Sequence, residues 1–240
     1  MTRMLASVSN LEEAIRILPC GVDIIDIKDP ARGALGAVDP GILRIIVKSI
    51  DSRVITSATI GDLPMQAPVI AAGIDKVLNS GADIVKIGIF SSGIPADVMH
   101  LIRARAKEGC RLVLVFFADL YTPVNNFQLL SDLGVYGVML DTADKTNGTL
   151  RTILNQNELE SFIHTAQAAG LMTGLAGSLQ QRDIRPLLEI HPDYLGFRSA
   201  LCIRHQRKLH IDLNAVYAIR SMIPITDKNT EETTAMAQEV

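Results

Sequence analysis

Several common signatures are missing from this chain, and each absence narrows its class. The three cysteines, Cys20, Cys110 and Cys202, lie far apart without a CxxC pair, which fits thiols in a reducing compartment better than a disulfide framework or a zinc site. The five histidines show no HxxxH or HExxH spacing, so we expect no metal. No apolar run approaches the ~20 residues of a membrane helix, and the amino terminus lacks a signal-peptide core. We expect a cytoplasmic protein without a membrane partner.

The charge distribution contains no concentrated basic region. The formal net charge is -3 and the pI is about 5.9, so we expect no nucleic-acid partner. With 240 residues, of which 48% are hydrophobic and 20% charged, the chain can bury one sizeable core. One domain is the expectation, and association into a homo-oligomer stays open.

Short apolar, β-branched runs recur along the chain, and a stretch with helical periodicity follows each of them. Ahead of the first helix, Asn10 and Glu13 have the spacing of an N-cap and its reciprocal third residue. The predicted strands are Met4 to Val8, Asp23 to Ile27, Arg53 to Ser57, Asp83 to Ile87, Leu112 to Phe116, Gly137 to Leu140, Leu171 to Leu175 and Tyr194 to Phe197.

This alternation of strand and helix predicts an α/β fold around a parallel sheet. An open doubly wound sheet competes, but the count of eight strands and the lack of a glycine-rich dinucleotide loop after the first favour a (βα)8 TIM barrel. We expect residues 1–225 to form a single barrel domain. Residues 226–240 read as a polar C-terminal tail without periodicity.

Charged residues interrupt two of the predicted strands. The second strand reads DIIDIKDP, and alternation puts Asp26 and Lys28 on the same side, facing the barrel axis. The fourth reads DIVKIG, which sets Lys86 among apolar residues where a charge is costly unless it is paired or neutralised. Lys86 could form a structural ion pair with Asp26. We favour function, because a second cation nearby would leave one of the two amines neutral and nucleophilic, ready to form an imine.

The residues alone do not identify which lysine is the nucleophile, although the more deeply set Lys86 is the usual choice in imine-forming barrels. The sixth strand ends in VMLDTADK, so Asp141 at its mouth is a candidate acid or base. Lys145 follows in a loop, where a solvated lysine is an equally good interpretation. The strand-three residues Ser57, Thr59 and Asp62 would line the pocket or cap the next helix, and rank second.

The ends of the last two strands suggest phosphate recognition. The sequences LAGS at 175–178 and GFRSA at 196–200 place small residues where backbone N–H groups can hold an anion. The candidate phosphate-binding residues are Gly177, Ser178, Arg198 and Ser199. The alternative is that Gly177 forms a tight turn and Arg198 is a surface residue.

Six collinear stretches of the chain resemble the (5-formylfuran-3-yl)methyl phosphate synthase family, and together they cover almost the whole predicted barrel. They are DIIDIKDPARGALGA (23–37), TSATIGDLP (56–64), GADIVKIG (81–88), GVMLDTADK (137–145), GLAGSLQQRDI (174–184) and GFRSALC (196–202).

The resemblance implies a carbon–oxygen lyase that joins two molecules of glyceraldehyde 3-phosphate into 4-(hydroxymethyl)-2-furancarboxaldehyde phosphate, losing phosphate and water, for methanofuran-type cofactors of one-carbon metabolism. It implies no organic cofactor and no metal. By motif, it puts the catalytic aspartate and lysine of strand two on Asp26 and Lys28, the Schiff-base lysine on Lys86, and the strand-six aspartate and loop lysine on Asp141 and Lys145.

The chain departs from the family pattern in two places. Relatives often carry Asn at the position of Asp29, and at 115–119 a strand end like Gly-Tyr-Ala-Asp is commoner than one with Phe116 and Phe117. These aromatics would narrow or reshape the pocket, which leaves a related aldehyde phosphate open as the substrate. A class I aldolase-like barrel and a non-catalytic barrel that binds a phosphorylated metabolite are the alternatives, and the intact lysines and carboxylates argue against the second.

Overall fold

The computed structural model describes residues 1–90, 93–120, 126–144 and 148–224. Eight parallel strands close into a barrel in chain order, and β1 pairs with β8 to complete the ring. The predicted (βα)8 TIM barrel is confirmed, and every predicted strand overlaps an observed one. The strands are β1 (Arg3–Val8), β2 (Ile24–Ile27), β3 (Ile55–Thr59), β4 (Ile84–Ile89), β5 (Leu112–Phe117), β6 (Gly137–Asp141), β7 (Met172–Leu175) and β8 (Tyr194–Phe197).

Helices cover the outside of this barrel, and within the described ranges none is long and apolar enough to cross a bilayer. Predicted Lys145 and the tail at 226–240 lie outside the described residues. The helices are α1 (Leu11–Ile17), α2 (Pro40–Ile50), α3 (Ala67–Leu78), α4 (Ala96–Lys107), α5 (Phe127–Asp132), α6 (Leu150–Ile153), α7 (Gln156–Ala168), α8 (Gln181–Leu188) and α9 (Leu213–Arg220).

The first helix begins where the sequence predicts, but its cap differs in one half. The Asn10 side chain accepts a hydrogen bond from the Glu13 backbone N–H at 2.9 Å. The predicted return bond from Glu13 to the Asn10 backbone was wrong, because the Glu13 carboxylate instead accepts from the Ser9 backbone N–H at 2.8 Å and pairs with Arg198. The Glu13 carboxylate thus links a local backbone N–H to Arg198, which lies 185 positions away in the sequence.

Both faces of the strands are buried, as parallel sheets require. One apolar cluster fills the space between strands and helices and contains Ile25 and Ile27 of β2. A second cluster fills the barrel and contains Ile24 of β2 and Ile84 of β4. Because side chains alternate along a strand, Asp26 and Lys86 follow Ile24 and Ile84 into the interior, towards the carboxyl ends of the strands. The predicted inward orientation is confirmed.

Candidate active site

Two lysines and two aspartates form a charged cluster at the carboxyl end of the barrel, here defined as Asp26, Lys28, Lys86 and Asp141. Lys86 Nζ lies 2.9 Å from Asp26 Oδ1, and Lys28 Nζ lies 3.7 Å from Asp26 Oδ2. Lys28 Nζ is also 4.0 Å from Asp141 Oδ2. All four residues are buried. The cluster therefore brings together four of the five predicted catalytic residues.

The register of the sheet fixes Asp26 at the centre of this cluster. Asp26 pairs with Ser7 of β1 on one side and with Ser57 of β3 on the other. Both hydroxyls donate to its carboxylate, from Ser7 Oγ at 3.0 Å and from Ser57 Oγ at 2.6 Å. Each carboxylate oxygen thus faces one serine and one lysine. Asp26 is held rigidly and cannot turn away from either amine.

Burial and neighbouring charge shift the protonation of Asp26 and Lys86. Burial alone would raise the pKa of Asp26, but Lys86 and Lys28 outweigh it and hold the pKa at about 2, so the group is a carboxylate. Burial lowers the pKa of Lys86 from its ordinary value, and the Asp26 charge only partly opposes that shift while Lys28 adds to it. The cluster thus combines a permanent carboxylate with a lysine that releases its proton more readily than usual.

A narrow inner cavity opens beside this cluster, between the ends of β1, β6, β7 and β8. Lys28 and Asp141 line the cavity, together with Ser7, Gly177 and Ser199. Asp26 and Lys86 lie beneath its surface, and the Tyr194 ring packs below them with its centroid 5.9 Å from Lys86 Nζ. A molecule in the inner cavity meets the Lys28 amine first.

The predicted phosphate-binding segments form one side of the inner cavity. Gly177 and Ser178 both adopt left-handed backbone conformations, with φ of 108° and 51°. A β-carbon at Gly177 would lie 2.9 Å from Thr142 Cγ2, so the position has room only for glycine. Within the described residues, the backbone N–H groups of Gly177, Ser178 and Ser199 donate to no protein acceptor. All three residues line the inner cavity, and backbone N–H groups without a protein acceptor are suited to an anion.

Arg198 also lines the inner cavity, but the protein already uses its hydrogen bonds. Nη1 and Nη2 contact the Glu13 carboxylate at 2.6 and 3.1 Å, and the side chain is buried rather than on the surface. Its remaining donors reach the carbonyls of Ser7, Arg207 and Leu209. These contacts occupy all five donors of a guanidinium. The geometry therefore gives Arg198 a role in fixing the loop after β8, which contains Arg207 and Leu209, and argues against the predicted direct contact with phosphate.

Comparison with protein families gives one match over most of the chain. The model of 4-HFC-P synthase matches residues 4–220, a range that overlaps every strand of the barrel and includes the entire charged cluster. The chain belongs to the 4-HFC-P synthase family. The family consists of synthases, so the chain is an enzyme.

Individual relatives of this 4-HFC-P synthase family member agree with that match. A Methylorubrum extorquens protein, provisionally named (5-formylfuran-3-yl)methyl phosphate synthase, is 38% identical over 223 residues, covering 91% of this chain and 92% of that protein. The (5-formylfuran-3-yl)methyl phosphate synthase of Methanothermobacter thermautotrophicus is 32% identical over 237 residues, covering 93% and 98%. The resemblance inferred from the six sequence stretches is thus confirmed.

Solved structures match the fold at low sequence identity. Phosphoribosyl anthranilate isomerase from Thermus thermophilus superposes with a TM-score of 0.65 at 14% identity, covering 92% of this chain and 98% of the isomerase. A 3-hexulose-6-phosphate synthase gives 0.64 at 15% identity, covering 93% and 100%. Both comparisons support the barrel architecture.

An unpredicted anchor holds the loop after β6 in this 4-HFC-P synthase family member. The Asp119 carboxylate accepts from the backbone N–H groups of Ala143 at 2.7 Å and Asp144 at 2.6 Å. Those residues directly precede Lys145, whose own position lies outside the described residues. Asp119 stands in the strand-five segment that departs from the family pattern. Of the two aromatics there, Phe116 packs against the helices, whereas Phe117 points into the barrel and stacks on Phe90.

The second-rank residues of strand three act on the site indirectly. Ser57 donates to Asp26, and Thr59 Oγ1 donates to the carbonyl of Gly36 at 3.1 Å. Asp62 accepts from the backbone N–H groups of Ala34 and Leu35, both at 2.8 Å, so it ties down the loop after β2. The proposal that Asp62 caps the next helix was wrong, since α3 begins only at Ala67.

Sequence reasoning missed Arg207, which the loop after β8 brings to the inner cavity. Its Nη2 donates to the Gly33 carbonyl at 3.1 Å, while its buried Nε has no hydrogen-bond partner. Across the described ranges, no carboxylate lies within ion-pair distance of it. The basic residues spread over 204–210 were the sequence signal that could have indicated it.

Among the residues that the structure describes, no group of three or more His, Cys, Asp or Glu side chains could hold a metal ion.

Proposed function

We propose that this enzyme condenses two molecules of glyceraldehyde 3-phosphate into 4-(hydroxymethyl)-2-furancarboxaldehyde phosphate, for the assembly of methanofuran-type cofactors. The balance is two triose phosphates against one six-carbon furan phosphate, one phosphate and two waters, so the reaction requires no oxidant or reductant. The observation that carries the proposal is the buried carboxylate of Asp26 shared by two lysines beside an anion-binding surface. The free cysteines support a reducing, cytoplasmic setting.

We assign the imine to Lys28 rather than to the Lys86 favoured by sequence reasoning. An amine must reach the aldehyde to attack it, and Lys28 lines the inner cavity whereas Lys86 lies beneath it. Lys86 is in hydrogen-bond contact with Asp26, and its lowered pKa suits a base. In this arrangement Lys86 is the base, the Asp26 carboxylate holds both amines in place, and the amine of Lys28 makes the covalent bond.

Asp141 is the acid–base group on the other side of Lys28. Its carboxylate lies 4.0 Å from Lys28 Nζ and accepts from the Thr142 backbone N–H at 2.7 Å. Imine formation expels the aldehyde oxygen as water, which requires a proton donor near the amine. The imine then acidifies the adjacent carbon, so that a carbon–carbon bond to the second triose can form. After loss of phosphate, a hydroxyl oxygen of the carbon chain attacks the imine carbon to close the ring. Expulsion of the Lys28 amine and loss of the second water then complete the furan and free the enzyme.

The N–H groups of Gly177, Ser178 and Ser199 hold the phosphate of the triose bound to Lys28. They line the same cavity as that amine, and a phosphate ester there would satisfy donors that lack a partner in the protein. We retain Lys145 as the group that holds or discharges the leaving phosphate, as the family resemblance implies. Asp119 fixes the backbone of Ala143 and Asp144, the two residues before it in the sequence.

Borohydride reduction in the presence of glyceraldehyde 3-phosphate tests the imine. Intact mass should reveal a triose adduct, and peptide mapping should place it on Lys28. Lys28→Arg keeps the charge but cannot form the imine, so the adduct should vanish. Lys107→Arg, on the exposed end of α4, is the matched control and should keep the adduct.

An adduct that maps to Lys86 would identify Lys86 as the nucleophile, as the sequence predicted. The absence of any adduct would reject an imine mechanism. The same reaction should release inorganic phosphate together with a furan aldehyde. A new carbon–carbon bond without phosphate release would identify the class I aldolase-like alternative.

A further inference from the structure

A second cavity adjoins the inner one on its outer side, between α8 and the loops before α6 and after β8. The two cavities share Ser178, Ser199 and Arg207. The outer cavity has a volume of about 280 Å³, compared with about 30 Å³ for the inner one. The inner cavity is therefore too small for two triose phosphates, and of these two cavities the outer one has room for a further phosphate ester.

The outer cavity is lined by basic and neutral polar groups. Arg182, His205 and Arg207 line it together with Thr152 and Gln180, and among the described residues its lining includes no Asp or Glu. Within the described parts of the chain, Arg182 and Arg207 form no ion pair. Arg182 lies in the first turn of α8, where the helix dipole adds positive potential. This combination favours a doubly charged anion.

Arg207 links the two cavities and carries an unsatisfied group. Its Nε is buried without a hydrogen-bond partner among the described residues, which is costly unless a ligand supplies an acceptor. Burial also lowers the pKa of this guanidinium, so its charge is poorly solvated by the free protein. A phosphate in the outer cavity would supply both an acceptor and a counter-charge.

We propose that the outer cavity binds the phosphate of the second glyceraldehyde 3-phosphate, with Arg182, His205 and Arg207 as its ligands. This inference rests on the proposed function, which requires two phosphate esters near one amine. The phosphate of the first triose, which is bound to Lys28, accepts hydrogen bonds from the N–H groups of Gly177, Ser178 and Ser199. The outer cavity then presents the second triose to the Lys28 imine from the side of Arg207.

The test compares Arg182→Gln with Arg185→Gln. Both arginines are exposed on α8 and both substitutions remove one positive charge, but of the two only Arg182 lines the outer cavity. Calorimetric titration with inorganic phosphate should give two sites in the wild-type enzyme and in Arg185→Gln. In Arg182→Gln one site should weaken by about 10- to 100-fold, the loss expected for one hydrogen bond between charged groups. Borohydride trapping should still give the adduct on Lys28, while furan formation falls and KM rises.

If the Arg182→Gln variant binds phosphate and forms furan in the same way as Arg185→Gln, the assignment of the outer cavity is overturned. A parallel loss of adduct and product would also overturn it, because the cavity would then serve the first substrate. A wild-type enzyme that forms no furan aldehyde would instead refute the proposed function. In that case the loss of one phosphate site in Arg182→Gln would still assign the outer cavity to a phosphate ester.

Discussion

The two ends of the barrel use the same residue type for different purposes. At the amino-terminal end, Asp23, Asp83 and Asp193 directly precede β2, β4 and β8, and each accepts from the backbone of the preceding strand. The distances are 2.7 Å from the Met4 N–H to Asp23, 2.8 Å from the Thr56 N–H to Asp83 and 2.7 Å from the Thr173 N–H to Asp193. These carboxylates join neighbouring strands.

At the carboxyl end, Asp26 and Asp141 face the lysines of the charged cluster instead. A backbone N–H is a fixed donor that does not titrate, whereas a lysine can lose its proton and form a bond to carbon. Under the proposed function, the partner of each carboxylate decides its role: stability at the amino-terminal end and chemistry at the carboxyl end, the usual division in barrels. Substitutions at the two ends should separate activity from stability.

The largest effect should come from Lys86→Gln, which removes the proposed base and keeps Lys28. We expect kcat to fall by about 10²- to 10⁴-fold, the usual contribution of acid–base catalysis. Burial lowers the pKa of Lys86, so the wild-type rate should rise with pH as this amine loses its proton, below the ordinary lysine value of about 10.4. The variant should lose that rise. Steady-state kinetics across pH measure both effects.

Lys107→Gln on α4 is the control for the change in charge, and it should keep the wild-type pH profile. Borohydride trapping should still label Lys28 in Lys86→Gln. An unchanged pH profile in the Lys86 variant would show that another group supplies the rise, and the base would have to be reassigned.

A smaller effect, on stability, should follow Arg198→Ala. Arg198 and Glu13 form a buried ion pair at 2.6 Å, and truncation leaves the Glu13 carboxylate buried without its cation. Breaking such a pair costs about 3–5 kcal/mol of unfolding free energy. Urea denaturation measures that loss, and adding Glu13→Gln should recover part of it. A variant with wild-type stability and a raised KM would instead support the direct phosphate contact predicted from the sequence.

The sequence predicted the parts of the site that lie in strands. Asp26 and Lys86 interrupt continuous apolar runs, and the alternation of side chains along a strand placed Asp26 on the same side as Lys28. The usual place of active sites in barrels then indicated that this side faces the axis. Contacts between distant loops could not be predicted in that way. Arg198 and Glu13 are 185 positions apart, and Arg207 reaches the cavities through a loop whose path no periodicity defines. The assignment of the accessible amine also needed the three-dimensional arrangement, because strand alternation places Lys28 and Lys86 on the same side.

The smallest effect should come from Asp83→Ala at the amino-terminal end. Asp83 Oδ2 accepts from the Thr56 backbone N–H at 2.8 Å and from Thr56 Oγ1 at 2.7 Å. Losing this acceptor should lower the unfolding free energy by about 1–2 kcal/mol, because Thr56 is buried while water can partly replace the exposed carboxylate.

For a domain of this size the change corresponds to a fall in Tm of about 2–8 °C, which thermal unfolding would measure. Asp83→Asn keeps an acceptor oxygen and should lose less. The kcat/KM for furan formation should stay within about twofold of the wild-type value in both variants. The lost hydrogen bond lies at the amino-terminal end of the barrel, so the charged cluster at the carboxyl end stays in place. A marked loss of kcat/KM at a temperature where Asp83→Ala remains folded would show that the two ends are coupled, and the division between stability and chemistry would fail.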